Sequence, residues 1–382
     1  MTKESAIKAP EGEMFAIKKG EPIKNSINKD TLFQSGQHIK EVYASFDIDA
    51  FIDSTMDETW EELELMQRGK QITLKLHEFL PADYEEALTI LVKVADNYSS
   101  GMFVMGLSLP DYVAQFGQNE KYWALSMSAL SKFTVYWSSE MAVRPFIINY
   151  EKRMMEQMYA WSKDKNEHVR RLSSEGCRPA LPWAQALPSF KKDPAPVIKI
   201  LEQLKADPSV YVRKSVANNL NDISKTHPDL VISIAKDWYG DNEDTDWIVK
   251  HACRTLLKSG NPDALSIFGY SDINSIKTDN FVSEKAAISI GDDLTFSFDI
   301  STKEDSKIRL EYAIDYVKSN GKRNRKIFKI SEIDMKKGTN KHYTKKQSFE
   351  DVSTRKHYPG VHTITLIVNG VEQGSFDFEL KK

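Results

Sequence analysis

The chain has 382 residues, a formal net charge of −3, 41% hydrophobic residues and 28% charged residues, which is typical of a globular protein of two or three domains. No segment approaches the roughly 18 apolar residues of a membrane span, and the N-terminus lacks an apolar signal segment, so we expect a cytoplasmic protein. The two cysteines, Cys177 and Cys253, lie outside any CxxC pattern and are too few for a disulfide framework.

Helical periodicity dominates the first two thirds of the chain. Residues 1–30 are polar, Lys-rich and aperiodic, which predicts an N-terminal arm. From Ile39 onward apolar residues recur at helical spacing, and no segment before residue 271 predicts a strand. A weak repeat is centred on Val169, Val212 and Val249, which lie 43 and 37 residues apart. This spacing is typical of stacked HEAT or armadillo repeats, so we predict a HEAT-like α-solenoid over residues 31–270.

The pattern changes after Tyr270, where apolar and polar residues alternate. Four segments show the alternation: AAISIGDDLTFSFDIS, KIRLEYAIDYVKS, KIFKISEIDM and VHTITLIVNGVEQGSFDFEL. Asn369-Gly370 in the last segment is a hairpin signal. We predict an immunoglobulin-like β-sandwich over residues 271–382, without the Cys-Trp-Cys core of antibody domains. The predicted fold class is therefore mainly α, with a C-terminal all-β domain.

One segment of the predicted β domain is strongly basic. Between Lys318 and Lys346 there are eleven Lys and Arg residues, against only Glu332 and Asp334. Such a segment is typical of a surface that binds a polyanion. A solvated loop and strand face is the alternative interpretation.

The stretch HVRRLSSEGCRPALPW, His168 to Trp183, begins as a regular helix and ends irregularly. Its apolar and small residues fall on one helical side, and Gly176 and Cys177 are assigned to close helix packing. Pro179 and Pro182 end the helix and place Trp183 on a turn. There the indole is either a packed aromatic under a loop or a platform for stacking.

Three acids are candidates for chemistry, although each has an ordinary structural explanation. Glu140 suits the first turn of a helix, Glu175 can pair with Arg171 four residues earlier, and Asp222 can be a solvated acid. On successive solenoid repeats, however, the three acids would meet on one concave wall beside Trp183. The basic residues expected to flank them are Arg178, Arg213, Lys214, Lys250 and Arg254. Acids inside a basic groove repel phosphates, so they favour a target that carries positive charge.

Several common sites are absent from the sequence. It contains no GxGxxG fingerprint, Walker A loop, HExxH motif or GxSxG elbow. His251 and Cys253 are two residues apart on a predicted helix and point to different sides, which is poor geometry for binding one metal ion. We therefore expect no cofactor and no metal.

The helical part resembles the AlkC family of bacterial DNA alkylation repair glycosylases, which are HEAT-like-repeat relatives of AlkD. The resemblance rests on SSEMAVRPF, HVRRLSSEGCRPALPW and SVYVRKSVANNLNDISKTHPD, and some members of the family carry an appended Ig-like domain. It implies base excision repair by hydrolysis of the N-glycosidic bond of 3-methyladenine and 3-methylcytosine in double-stranded DNA.

The resemblance also implies roles for individual residues. Glu140, Glu175 and Asp222 become the catalytic acids, and Trp183 becomes the residue that contacts the lesion. The implied DNA-binding residues are Arg178, Arg213, Lys214, Lys250, Arg254, Lys322, Arg323 and Arg325. We expect a monofunctional enzyme that acts as a monomer on nucleoid DNA, without a membrane partner.

Two other functions remain open at the level of sequence. A HEAT-repeat scaffold without catalytic activity could bind a protein partner through its β domain. A DNA-binding protein could sense lesions without cutting the glycosidic bond. Release of free base from methylated DNA distinguishes both from a glycosylase.

Overall fold

The computed structural model describes residues 21–97, 103–352 and 355–382. The chain divides into two compact units, Met1–Ile223 and Ser224–Lys382. All regular elements described before Ile276 are helical, and the strands follow from that residue. The predicted order, a helical repeat region followed by an Ig-like β-sandwich, is confirmed.

Twelve α-helices are described in the first unit. They are α1 Lys29–Val42, α2 Ile48–Thr55, α3 Leu65–Phe79, α4 Tyr84–Asn97, α5 Phe103–Phe116, α6 Trp123–Tyr136, α7 Val143–Asn149, α8 Glu151–Trp161, α9 Glu167–Glu175, α10 Pro188–Lys192, α11 Ala195–Leu204 and α12 Val210–Ile223. Residues 1–20 of the predicted arm lie outside the described residues. Helix α1 starts before the predicted Ile39, because Asn28 accepts a hydrogen bond from the Thr31 backbone N–H at 3.1 Å and caps the helix.

Helices α9 and α12 correspond to the first two predicted repeats. Val169 of α9 and Val212 of α12 are both buried, as the repeat pattern predicts. The Asn219 side chain donates to the backbone carbonyl of Ser174 at 2.8 Å and ties the two helices together. The predicted separation of 43 residues is thus the distance along the chain between two packed helices.

The second unit contains four α-helices, a short 3-10 helix at Ile273–Ser275 and eight strands in its described part. The α-helices and strands are α13 Pro228–Trp238, α14 Glu243–Ala252, α15 Arg254–Lys258, α16 Pro262–Ile267, β1 Ile276–Ser283, β2 Ala287–Ser289, β3 Asp293–Thr302, β4 Ser306–Val317, β5 Arg323–Met335, β6 Asn340–Ser348, β7 Gly360–Val368 and β8 Val371–Lys381. The strands form two sheets of order β1-β3-β6 and β2-β8-β7-β4-β5. Alternate side chains of β3 and β4, such as Phe296, Phe298, Leu310 and Ile314, fill the core.

The last helices of the chain are joined to the sandwich. The Lys250 ammonium of α14 pairs with Glu332 of β5 at 2.5 Å. Lys307 of β4 donates through Nζ to the carbonyl of Phe268 at 2.8 Å, and its own carbonyl accepts from the Ser271 N–H at 3.0 Å. These contacts explain why the compact units divide after Ile223, while the change from helix to strand comes about fifty residues later.

The predicted Asn369-Gly370 hairpin is present between β7 and β8 and also contacts the helices. Both residues have positive φ, 46° and 78°, as a two-residue hairpin turn of the primed type requires. A Cβ atom on Gly370 would lie 2.4 Å from the Cα of Gly260 in the turn before α16. Position 370 therefore needs glycine for two reasons: the turn requires a positive φ, and the backbone of Gly260 leaves no space for a Cβ atom.

We expect Gly370→Ala to lower the free energy of unfolding by about 3 kcal/mol, because a strained φ is combined with an overlap that neither backbone can relieve. Gly321→Ala is the matched control, since Gly321 also lies in a hairpin turn, at φ 74°, but has no atom within 4 Å of the added methyl group. The control should lose only about 1 kcal/mol. Urea unfolding of both variants measures the difference, and equal losses would show that the contact with Gly260 is unimportant.

No helix in the described ranges is long and apolar enough to cross a membrane.

Candidate active site

Glu175 is the last residue of α9 and is buried. The helical pattern of α9 alone leaves Ser174 and Glu175 on the solvent side, but the structure buries both because α12 packs against that face. The Ser215 hydroxyl of α12 donates to Glu175 Oε2 at 2.6 Å. A carboxylate that sequence periodicity assigns to a surface salt bridge is therefore held inside the first unit.

Arg178 joins Glu175 to Asp222. Its Nη1 lies 2.6 Å from Glu175 Oε1, and its Nε and Nη2 lie 2.9 and 2.8 Å from Asp222 Oδ2. All three side chains are buried. Asp222 reaches this position because it is the second-to-last residue of α12, which packs directly against α9. Two of the three predicted acids therefore share one guanidinium.

Arg171 joins Glu175 to the third acid, Glu140. Its guanidinium forms an ion pair with Glu140, and its Nη2 lies 3.6 Å from Glu175 Oε1, the predicted pair four residues apart on α9. Glu140 lies in the turn before α7 and accepts a hydrogen bond from the Ser138 hydroxyl at 2.6 Å. The Arg171 guanidinium also stacks on the ring of Tyr211, 4.9 Å from its centroid. The structure thus brings Glu140, Glu175 and Asp222 into one chain of ion pairs.

The neighbouring acids determine the charge state of Arg171 and Arg178. Burial lowers the pKa of Arg171, but attraction to Glu140 and Glu175 outweighs it, so that the pKa lies above its usual value. The pKa of Arg178 is raised in the same way, with Glu175 and Asp222 overcoming the effect of burial. Both guanidiniums are therefore charged at neutral pH. Three carboxylates and two guanidiniums alternate along these ion pairs.

Trp183 lies on the loop that follows α9, and its side chain is 78% exposed. Its φ is +61°, a left-handed conformation that is unfavourable for a residue with a Cβ atom. Leu181 and Leu187 are buried on either side of it, and the Leu187 N–H donates to the Pro179 carbonyl at 3.1 Å. The loop is anchored at its ends and presents the indole to solvent, so packing under the loop does not explain Trp183.

Gly176 and Cys177 have the packing role that the sequence predicts. A Cβ atom on Gly176 would lie 2.5 Å from Val143 Cγ2 of α7, so only glycine allows this approach. Cys177 is fully buried, and burial raises the pKa of its thiol to about 12. No chemistry is assigned to either residue.

The structure changes the interpretation of two predicted DNA-binding arginines. Arg178 directs its donors to Glu175 and Asp222 rather than to the surface. Arg213 is 9% exposed and donates through Nη1 to the carbonyls of Asp207 and Pro208, so it fixes the turn before α12. Both were predicted as surface residues because neither periodicity nor composition reveals an internal partner.

The other basic residues predicted to bind DNA are wholly or partly exposed. Lys214 extends from α12, and Lys250 and Arg254 belong to the second unit. Arg325 pairs with Glu372 at 2.5 Å, and Arg323 donates to the Thr363 hydroxyl at 2.7 Å. Lys322 is in the turn between β4 and β5.

The basic segment itself forms β5, the following turn and β6. These are edge strands of different sheets. Charged residues on edge strands also prevent pairing with other chains, which is a second physical reason for a basic segment here.

Sequence reasoning missed two side chains near the acids: Ser215, which donates to Glu175, and Arg144, which donates to backbone carbonyls of the following loop. A serine in a repeat helix gives no signal of its own. Arg144 does give a sequence signal, because it is a charged residue in the otherwise apolar run AVRPFII. In the structure its side chain is 1% exposed. Across the parts of the chain that the structure describes, no group of His, Cys, Asp and Glu has the arrangement of a metal site.

Two family models match this chain, one over part of the helical region and one over the sandwich. A family model described as DNA alkylation repair enzyme matches residues 121–256, which include all three acids and Trp183. A second model, described as the C-terminal Ig-like domain of uncharacterised protein YhaZ, matches residues 277–382.

Two relatives cover nearly the whole chain. Uncharacterized protein YhaZ of Bacillus subtilis (strain 168) is 48% identical over 358 residues, which are 94% of this chain and 99% of that protein. The solved structure of alkylpurine DNA glycosylase AlkC from Pseudomonas fluorescens, bound to DNA containing an abasic site analog, is 40% identical with a TM-score of 0.90. The match covers 95% of this chain and 100% of the Pseudomonas fluorescens chain. The chain belongs to the AlkC family of DNA alkylation repair enzymes.

Proposed function

We propose that the protein is a DNA glycosylase that hydrolyses the N-glycosidic bond of cationic N3-alkylated bases, 3-methyladenine and 3-methylcytosine, in double-stranded DNA. The observation that carries the proposal is the cluster of Glu140, Glu175 and Asp222, three buried or partly buried carboxylates that Arg171 and Arg178 hold together. The relation to the Pseudomonas fluorescens enzyme supports the reaction type. We further propose that it acts as a monomer on nucleoid DNA.

The chemistry of a cationic base explains why carboxylates suffice. When the bond between C1′ and the base nitrogen breaks, its electron pair neutralises the charged base, and positive charge moves to the deoxyribose as an oxocarbenium-like species. The base therefore leaves as a neutral molecule without a general acid. A preorganised negative charge next to the sugar stabilises the transition state more than the ground state.

Water completes the reaction and also requires a carboxylate. The water oxygen bonds to C1′, and the proton it loses is accepted by one of the three acids. The two arginines prepare the acids for this role, since each fixes the carboxylates it contacts in one orientation. We assign the electrostatic and water-orienting roles to Glu140, Glu175 and Asp222 as a group.

Trp183 is suited to contact the lesion. An exposed indole on an anchored loop offers a flat face to an alkylated base, and a cationic base is attracted to that face more strongly than a neutral one. Lys214, Lys250, Arg254, Lys322, Arg323 and Arg325 are proposed to contact DNA phosphates, which fix position without reading sequence.

The function is tested by incubating the protein with duplex DNA that carries defined methylated bases and measuring free base by mass spectrometry. We expect time-dependent release of 3-methyladenine and 3-methylcytosine and the formation of abasic sites. O6-methylguanine, a neutral alkylated base, should stay in the DNA, because its bond is not activated by charge. Binding to methylated DNA without release would identify a lesion sensor, and no preference for methylated DNA would identify a scaffold.

A further inference from the structure

Arg144 of α7 is a buried arginine that contacts backbone carbonyls instead of acids. Its Nη1 donates to the carbonyls of Gly176 and Arg178 at 3.0 and 2.9 Å, and its Nε donates to the carbonyl of Gln185 at 2.5 Å. The side chain is 1% exposed. One planar guanidinium thus holds three carbonyls that lie up to nine residues apart.

These carbonyls are at the two ends of the loop that presents Trp183. Gly176 directly follows Glu175, Arg178 pairs with Glu175 and Asp222, and Gln185 is two residues beyond Trp183. Arg144 therefore fixes the distance between the segment that carries the acid cluster and the segment that carries the indole. The left-handed φ of Trp183 needs such a constraint, because the loop would otherwise relax to a more favourable conformation.

The buried position of Arg144 is energetically costly. Burial lowers the pKa of its guanidinium to about 10. Its Nη2 has no hydrogen-bond partner in the structure as described. A buried donor without a partner is unfavourable, so the contacts of Nη1 and Nε with the three carbonyls have to offset this cost.

We propose that Arg144 is a positioning residue that sets the place of Trp183 relative to the acid cluster. The proposal rests on the proposed function, in which Trp183 contacts the lesion and the acids act on the sugar beside it. Because the lesion base and its sugar are joined covalently, both contacts form only when the indole and the acids are correctly spaced. Arg144 contributes through this spacing and does not touch the substrate.

The test is Arg144→Lys, which keeps the charge but cannot reach three separated carbonyls. The protein contains seven tryptophans, so labelling with 5-fluorotryptophan gives a resolved fluorine spectrum in which Trp183→Phe assigns the Trp183 signal. We expect R144K to shift or broaden this signal and leave the others in place. The maximal single-turnover rate of base release should fall about 10- to 100-fold, while the DNA concentration for half-maximal rate changes less than about 3-fold.

Arg68→Lys is the matched control. Arg68 is also buried, donates through Nη1 to the carbonyls of Lys24 and Ile27 at 3.0 and 3.1 Å, and has an Nε without a partner among the described residues. It is in the same unit but contacts neither the acids nor the loop. R68K should lower the melting temperature as much as R144K and leave the Trp183 signal and the rate of base release unchanged.

A double variant decides whether Arg144 acts through Trp183. If it does, R144K/W183A should release base no more slowly than W183A, within about 3-fold, because the indole is already gone. The proposal is overturned if the double variant shows the product of the two single-variant rate losses. It is also overturned if folded R144K leaves the Trp183 signal unchanged.

Arg144→Gln provides a second route if R144K does not fold. Glutamine is too short to reach the carbonyls at both ends of the loop, and an unchanged Trp183 signal would again overturn the proposal. Should the wild-type protein release no base, the proposed function fails, while the fluorine spectrum still tests the role of Arg144 by itself.

Discussion

Asp222→Asn should lower the single-turnover rate of base release from DNA containing 3-methyladenine by about 100- to 1,000-fold, the usual loss when a preorganised electrostatic group is removed from an active site. The substitution keeps the shape of the side chain and its contact with Arg178 but removes the negative charge. The ion-paired cluster then has two carboxylates instead of three. It loses the charge that would stabilise an oxocarbenium-like sugar, and we expect a similar loss for Glu175→Gln.

Asp207→Asn is the control for this prediction. Asp207 is also buried in the first unit and accepts hydrogen bonds from the Arg170 guanidinium at 2.6 and 3.0 Å, but it does not belong to the acid cluster. Asp207→Asn should lose stability and keep its rate below its melting temperature. If Asp222→Asn and Asp207→Asn release base equally fast, Asp222 has no part in the reaction.

Removal of Arg178 should have the largest effect on stability. Arg178→Met leaves two buried carboxylates without their main partner, and breaking a buried ion pair in this way costs about 3–5 kcal/mol. Urea unfolding followed by tryptophan fluorescence measures the loss. Because the positions of Glu175 and Asp222 also depend on Arg178, the surviving folded fraction should release base poorly.

Arg325→Met is the comparison for Arg178. Arg325 pairs with Asp315 at 3.5 Å and with Glu372 at 2.5 Å, but it is 36% exposed, so water replaces its contacts. Exposed ion pairs contribute only about 0–1 kcal/mol, and we expect a loss in that range. Similar losses for the two variants would mean that the pairs around Arg178 are solvated and that the cluster is not preorganised.

The sequence predicts elements well where burial is one-sided and periodic. The helices of the repeats and the core strands β3, β4, β7 and β8 were predicted because each has one apolar face. Strands β1 and β6 were missed. They are the two edge strands of the three-stranded sheet, and their mostly exposed, polar side chains interrupt the alternation that identifies a strand.

In the candidate site, the sequence predicted individual residues but not the contacts between helices. The three acids and Trp183 were candidates from their residue types and repeat positions, the family resemblance implied their roles, and the structure adds how the acids are joined. The burial of Glu175 and the pairing of Arg178 with Asp222 could not be predicted, because a helical pattern describes one helix and these contacts come from α12. Residue spacing does not encode which guanidinium faces which carboxylate across two helices.

The contact between Gly260 and Gly370 affects how this architecture can be rearranged in evolution. The match to the Ig-like domain begins at residue 277, yet the compact unit that contains the sandwich begins at Ser224 and includes α13 to α16. Two glycine backbones in direct contact leave no space for side chains, so other helices could not simply replace these four. A lineage that exchanged the sandwich by recombination at residue 277 would inherit half of an interface, and an exchange near residue 224 would keep that interface whole.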